Sequence, residues 1–203
     1  MLPHDPLNII ISGVGGQGNI LASDLLSRTF CEQGWHISVG ETYGATQRGG
    51  SVVSHLRLSR RHAYGPLIPL GEAHILIGFE PLEVLRILRE YGHADVRVVM
   101  NDRPLPPLEA LQGQSAYPSL DALKAAIGGM SRQLVVVPGT RLAQEAGNAQ
   151  AQNVVMVGAF AGLGWIPLEK GAYLQPIEGL FSGTKLAVNR KAFELGYQAG
   201  QRQ

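Results

Sequence analysis

Leu7-Asn8-Ile9-Ile10-Ile11-Ser12-Gly13-Val14-Gly15-Gly16-Gln17-Gly18-Asn19-Ile20-Leu21 is the stretch that decides the fold. The β-branched run Leu7–Ser12 reads as a short buried strand. Gly13–Gly18 then turns the chain. From Asn19 to Gln33, apolar residues recur at Ile20, Leu21, Leu25, Leu26 and Phe30, the stripe of an amphipathic helix. Gly34 tolerates positive φ and ends that helix. His36–Val39 reads as a second strand. Strand, glycine turn, helix and strand make a Rossmann-like first β-loop-α-β unit, which calls for parallel strands and a right-handed crossover.

The same alternation continues outward. Ser51–Ser59 alternates, with Ser54, Leu56 and Leu58 on one face and His55, Arg57 and Ser59 on the other. It is expected to be a half-exposed strand, antiparallel and near an edge, with His55 solvated or hydrogen-bonded. Ala73–Phe79, Val96–Asn101 and Gln133–Val137 read as further strands. Pro81 opens a helix with Leu82, Leu85 and Leu88 on its core side and Glu83 paired with Arg86. Ser119 caps a short helix over Ser119–Ile127, and Thr140–Ala146 starts another. Pro104–Pro118, with four prolines, is a loop. Asn153–Gly164 is rich in small residues and is expected to be a tightly packed helix. Thr184 is expected to cap a final helix, Lys185–Ala199. The fold class is α/β: a three-layer α/β/α sandwich around a mostly parallel sheet, one domain spanning residues 1–203.

Composition narrows the function. The 203 residues are 45% hydrophobic but only 16% charged, with 26 glycines and a net charge of +1. Average chains carry about a quarter charged residues, so a partner subunit is expected to cover part of this surface. Near-neutral charge argues against nucleic acid. No apolar run is long enough to span a membrane. The start, Met1–Pro6, does not read as a signal peptide, and a cytoplasmic location is expected. The one cysteine, Cys31, cannot form an intrachain disulfide or supply an all-cysteine iron–sulfur cluster. It follows Phe30 on the apolar pattern and reads as a buried small hydrophobe. Six scattered histidines offer no metal-ligand spacing.

Two loops carry the chemistry. Gly13-x-Gly15-x-x-Gly18 between a strand and a helix is the context of a dinucleotide fingerprint, and Glu41 stands where an acid could hold a ribose. The alternatives are a free-standing NAD(P)-binding Rossmann oxidoreductase or a tight turn with no ligand. The second loop is Glu41-Thr42-Tyr43-Gly44-Ala45-Thr46-Gln47-Arg48-Gly49-Gly50. Its glycines free the backbone to approach an anion, and Arg48 supplies a fixed cation. The candidate binding residues are Gly13, Gly15, Gly16, Gln17, Gly18, Gln47, Arg48, Gly49 and Gly50. No residues read as catalytic and none as metal ligands. No acid–base set and no nucleophile elbow accompany these loops, so the chain reads as part of an enzyme.

Gly-Val-Gly-Gly-Gln-Gly at 13–18, Ala22-Ser23, and Tyr43-Gly44-x-x-Gln47-Arg48-Gly49-Gly50-Ser51-Val52-Val53-Ser54-His55-Leu56-Arg57 resemble the gamma-type domain of 2-oxoacid:ferredoxin oxidoreductases. Phe79-Glu80-Pro81-Leu82-Glu83, Pro138-Gly139-Thr140, Asn153–Ala159 and Lys185-x-x-x-Asn189-x-x-Ala192-Phe193-x-x-Gly196 extend the resemblance over nearly the whole chain. The loop before Ser51 looks most like that of the small beta subunit of indolepyruvate ferredoxin oxidoreductase. Gly44-Ala45-Thr46 departs from the Gly-Met-Ala or Gly-Met-Ser of that subunit. The resemblance implies a 2-oxoacid, of the indolepyruvate or arylpyruvate type, decarboxylated to an acyl-coenzyme A with electrons passed to ferredoxin. Thiamine diphosphate and the iron–sulfur clusters are then expected on a large partner subunit. The resemblance implies that this chain holds no cofactor alone and that it helps enclose the active site and receive coenzyme A. A purely structural assembly subunit is the remaining alternative, and a homodimer is left open.

Overall fold

The computed structural model describes residues 4–43 and 50–203. The strands are β1 (Leu7–Val14), β2 (His36–Tyr43), β3 (Ser51–Ser59), β4 (Ile75–Gly78), β5 (Arg97–Asn101) and β6 (Gln133–Val137). They form one sheet in the order β2-β3-β1-β4-β5-β6. β1, β4, β5 and β6 pair in parallel, and β3 lies antiparallel between β1 and β2. The helices are α1 (Asn19–Glu32), α2 (Pro81–Tyr91), α3 (Leu108–Leu111), α4 (Leu120–Gly129), α5 (Gly139–Ala146), α6 (Gln152–Gly162), α7 (Lys170–Leu180) and α8 (Gly183–Gln201).

Alternation along each strand splits the core in two. Ile9 and Ile11 of β1, Ile75 and Ile77 of β4 and Val99 of β5 face one layer, with Leu25 and Phe30 of α1 and Phe160 of α6. Ile10, Leu76, Val98 and Met100 face the other, with Val84 and Leu88 of α2 and Leu123 of α4. This is the three-layer α/β/α arrangement expected. The bounds of β3 and β6 and the helical nature of α6 also agree with the sequence reading.

The first unit differs from expectation. β2 does not pair with β1; β3 returns between them, hydrogen-bonded to both. Glu41 therefore lies within β2, which extends to Tyr43. β3 is not half-exposed either. His55 is 1% exposed and accepts the Ile68 N–H at Nδ1 across 3.4 Å. The segment around Ile68 covers this face, and burial holds the His55 imidazole below its usual pKa.

Cys31 is exposed, contrary to the expectation of burial. The packed face of α1 is Ala22, Leu25, Leu26, Thr29 and Phe30, and one residue past Phe30 is about a 100° rotation off that face. Ile20 is likewise half exposed. In α2 the buried apolar residues are Pro81, Val84, Ile87 and Leu88, while Leu82 and Leu85 are only partly covered. Glu80 caps that helix by accepting the Glu83 N–H at 2.8 Å. α8 starts before Thr184: Ser182 stands at its cap without a capping side-chain bond. α7 runs through Pro176, whose presence hid the helix from periodicity.

α6 and α8 run side by side in the same direction and in backbone contact. A Cβ on Gly158 or Gly162 would lie 2.2 or 2.1 Å from the carbonyl oxygens of Phe193 and Tyr197. One on Gly196 or Gly200 would lie 2.0 or 2.2 Å from those of Val155 and Ala159. Glycine on both helices is what permits this approach. The N-termini of α6 and α8 consequently open toward the same end of the molecule as the glycine turn before α1.

Candidate functional site

The parallel strands β1, β4, β5 and β6 end on one edge, the edge where open α/β sheets take ligands. The loops leaving it are tied together by buried polar groups. Asn101, at the end of β5, donates from Nδ2 to the Phe79 carbonyl at 3.3 Å and to Thr140 Oγ1 at 3.1 Å. Its Oδ1 accepts the Thr140 N–H at 3.2 Å. Thr140 Oγ1 donates to Gln152 Oε1 at 2.9 Å, and Gln152 Nε2 donates to the Gln17 carbonyl at 3.4 Å. The Phe79-Glu80-Pro81 and Pro138-Gly139-Thr140 motifs thus brace the glycine turn.

Gln17 is the plug of that turn. Its buried side chain accepts the Val14 N–H at Oε1 across 2.7 Å and donates from Nε2 to the Phe79 carbonyl at 3.2 Å. The Gly15 N–H donates to the Gly50 carbonyl at 2.9 Å, and the Gln17 N–H to the Val14 carbonyl at 3.1 Å. Three of the amides in Gly13–Gly18 are therefore used inside the protein. Gly13 packs so closely that a Cβ would approach Gln17, Phe79 and Asn19 within 2.7–2.9 Å. Gly16 and Gly18 adopt φ of +101° and +86°. Gly18 is the N-cap of α1, with no side chain capping the helix and no acid in its first turn. The amides at that end, from Gly18 onward, have no intrahelical partner and carry the positive end of the helix dipole.

These amides face a cleft of about 650 Å³. One wall is Gly16, Gln17, Gly18 and Leu21; the others are Asn148, Gln150 and Asn153 before and on α6, and Phe181, Thr184, Lys185 and Asn189 around the start of α8. Among the described residues, no carboxylate, imidazole or thiol lines it, and the one charged side chain that does is Lys185. Such a cleft can hold an anion through amides and a cation. Asn19 braces the turn by donating to the Val52 carbonyl at 3.1 Å.

Of the residues singled out in the sequence, Gly13, Gly15, Gly16, Gln17, Gly18 and Gly50 meet here. Gln47, Arg48 and Gly49 lie outside the described residues. Lys185, Asn189 and Asn153 belonged to the motifs quoted above but received no role. Their signal was the i, i+4 spacing of Lys185 and Asn189, which puts both on one face of α8.

Beside the cleft, Ile20, Val39, Leu180 and Glu41 line a second groove. Tyr43, near its rim, is 60% exposed; it donates to the Glu41 carboxylate, which raises the phenol pKa. Among the described residues, no three His, Cys, Asp or Glu side chains gather into a metal-holding group. A single cysteine does not fit a four-thiolate cluster, and the described residues bring to the cleft no carboxylate that would fit a diphosphate held through a divalent cation. No helix of the described residues is long and apolar enough to cross a membrane.

The sequence profile of the pyruvate ferredoxin/flavodoxin oxidoreductase family matches residues 8–199. The chain belongs to that oxidoreductase family. Among its relatives, the indolepyruvate oxidoreductase subunit IorB of Thermococcus kodakarensis is 36% identical over 198 residues, 96% of both chains. The IorB subunit of Archaeoglobus fulgidus is 33% identical over 191 residues, 94% of both. The fold is shared with the pyruvate oxidoreductase subunit PORC of Thermotoga maritima, with a TM-score of 0.71, 20% identity, and coverage of 96% of this chain and 97% of that one. It is shared too with the 2-oxoglutarate:ferredoxin oxidoreductase of Magnetococcus marinus, whose structure holds 2-oxoglutarate, coenzyme A and succinyl-CoA. There the TM-score is 0.74 at 18% identity, covering 98% of this chain but 32% of that one. The same fold thus occurs both as a small separate subunit and as about a third of a longer chain. The gamma-type resemblance read from the sequence is borne out.

Proposed function

We infer that this chain is the small, cluster-free subunit of a 2-oxoacid:ferredoxin oxidoreductase acting on an indolepyruvate-type or other arylpyruvate substrate. In the assembled enzyme it helps enclose the thiamine diphosphate site, held by a large partner subunit with the iron–sulfur clusters, and it receives coenzyme A. The bond-making groups are the partner's and its cofactors'; this chain binds and orients. Ferredoxin is reached through the complex.

The observation that carries this reading is the cleft at the uncapped start of α1, to which the described residues bring Lys185 and no carboxylate. A diphosphate is matched by unsatisfied amides, a helix dipole and one ammonium group. Gly50 lies against the turn through the Gly15 N–H, and Arg48 stands two residues before it in the chain. Arg48 is assigned to the same anion. The apolar side chains Ile20, Val39 and Leu180, each more than 40% exposed beside the cleft, are assigned to the partner contact.

The free-standing NAD(P) enzyme is less well supported. A ribose-binding acid belongs on a strand next to β1, whereas β3 separates Glu41 from β1. The test is coexpression with the large subunit, purification of the complex, and coenzyme A-dependent reduction of ferredoxin across a panel of 2-oxoacids. Turnover highest with arylpyruvates and dependent on this chain is expected. A complex equally active without the chain would overturn the reading.

A further inference from the structure

β2 and β6 are the two edge strands of the sheet, and they are built differently. β6 is five residues long and stands between Arg132 and Pro138, a charge and a ring that discourage further pairing. β2 is eight residues long, pairs with β3 in unbroken register, and holds no lysine, arginine or proline. An edge of that length without such protection is a template for another strand.

The ladder fixes which residues of β2 present their main chain outward. In an antiparallel pair, alternate residues turn their N–H and C=O groups to alternate sides. The Gly15 N–H bond to the Gly50 carbonyl continues the β1–β3 register, so Val52, Ser54, Leu56 and Leu58 bond toward β1. Val53, His55, Arg57 and Ser59 then bond toward β2, where they meet Thr42, Gly40, Ser38 and His36. Ile37, Val39, Glu41 and Tyr43 consequently face the open side, and among the described residues no other backbone group bonds to them. Their side chains share one face of the sheet, the face on which Val39 and Glu41 line the groove with Ile20, Ser23, Asp24 and Leu180.

We propose that an extended segment of the large partner subunit, apolar at alternate positions and carrying a lysine or arginine, adds to this edge as a further strand. It bonds to the main chain of Ile37, Val39, Glu41 and Tyr43 and sends its apolar side chains into the groove against Ile20, Val39 and Leu180. The proposal rests on the reading of the chain as a small subunit, and it names the mode of that contact. Charge selects the occupant. Among the described residues, the charged side chains lining the groove are Asp24 and Glu41, both acids. Arg28 offsets Asp24, whereas Glu41 accepts the neutral Tyr43 hydroxyl. A second copy is the poorer occupant, because twofold pairing of β2 with itself would set these acids against the same acids of the other chain.

Amide hydrogen exchange, read residue by residue in the full chain alone and in its complex with the large subunit, tests this. In the complex, the Ile37, Val39, Glu41 and Tyr43 amides are expected to exchange at least about tenfold more slowly, while those of Ser38 and Gly40, already bonded to β3, change little. Val39→Pro removes one outward N–H and leaves the β3 ladder whole; the affinity for the large subunit is expected to fall at least about tenfold. Glu41→Lys is expected to lower it about three- to fivefold, less at high salt. Unslowed exchange at the four amides in a complex that assembles and turns over would overturn strand addition and leave the subunit reading standing. Failure of the large subunit to copurify with the unaltered chain would remove both. Slowed exchange in the chain alone, at twice its mass, would put a second copy on the edge and also overturn the proposal.

Discussion

The Gly15 amide donates to the Gly50 carbonyl across 2.9 Å. The two glycine-rich loops that stand out in the sequence are therefore parts of one structure, joined where β1 and β3 leave the sheet. That bond also decides what the turn can offer a ligand. It takes the Gly15 N–H out of play, as Gln17 takes that of Val14, and leaves Gly16, Gly18 and the start of α1 facing the cleft.

The plug predicts a stability effect. Gln17→Leu fills similar space but leaves the buried Val14 N–H without an acceptor. A loss of about 1–3 kcal/mol is expected, read from the urea midpoint, with faster hydrogen exchange at Val14. Unaltered exchange would show that Gln17 does not hold the strand end.

Gly16 and Gly18 should respond unequally to alanine. Both have positive φ, which costs an L-residue about 1–2 kcal/mol, but only at Gly18 would the new Cβ meet Asn153, at 2.4 Å; at Gly16 it meets nothing within 4 Å among the described residues. Gly18→Ala is therefore expected to be the more destabilising in thermal unfolding. Equal losses would mean that Asn153 moves aside freely.

These relations show what the sequence made legible. The buried strands and the glycine turn are local signals, and β3 and β6 could be bounded from residue type alone. The order of strands could not: β3 returning between β1 and β2 is a pairing between distant residues, with no local mark. Pro176 concealed α7, because proline interior to a helix is ordinarily excluded. Cys31 was misplaced by a single 100° step around α1. The far wall of the cleft was invisible for a related reason. Asn153 and Lys185 are 32 positions apart, and only the close passage of α6 against α8 brings them to one cavity.

That passage can be disrupted directly. Gly158→Ala would put a Cβ 2.2 Å from the Phe193 carbonyl oxygen. Overpacking of this kind costs about 1–3 kcal/mol or more. Because the helices carry the cleft wall, weakened coenzyme A use is expected alongside the lower Tm. Ala at Gly171, which meets nothing within 4 Å, is the matched control. Equal behaviour of the two variants would contradict the packing account.

His74 introduces a pH dependence away from the site. Its Nδ1 accepts the Asn8 N–H at 3.0 Å, and its ring stacks on His4 at 3.9 Å. Burial first, then the His4 and His93 charges, push its pKa from 6.5 down to about 4. Above pH 6.5 both folded and unfolded chains hold it neutral. Between pH 6.5 and about 4 the unfolded chain gains a proton that the folded one refuses, so stability is lost as pH falls. After discounting for its partial exposure, about 1–3 kcal/mol is expected across that window. Urea midpoints at pH 7 and 4.5 should fall less in His74→Gln than in the parent. An equal fall would remove His74 from the acid response.

The central claim is that the cleft at the glycine turn receives the phosphates of coenzyme A. Gly16 permits an isosteric test, since a Cβ there meets nothing within 4 Å among the described residues and Asn and Asp both tolerate positive φ better than most residues. The decisive measurement is the apparent KM for coenzyme A of complexes carrying Gly16→Asn and Gly16→Asp, at low and high salt. The account predicts that Asp raises KM at least about tenfold more than Asn, as expected for a charge set against a phosphate, and that salt narrows the gap. Equal KM values for the two variants would contradict it.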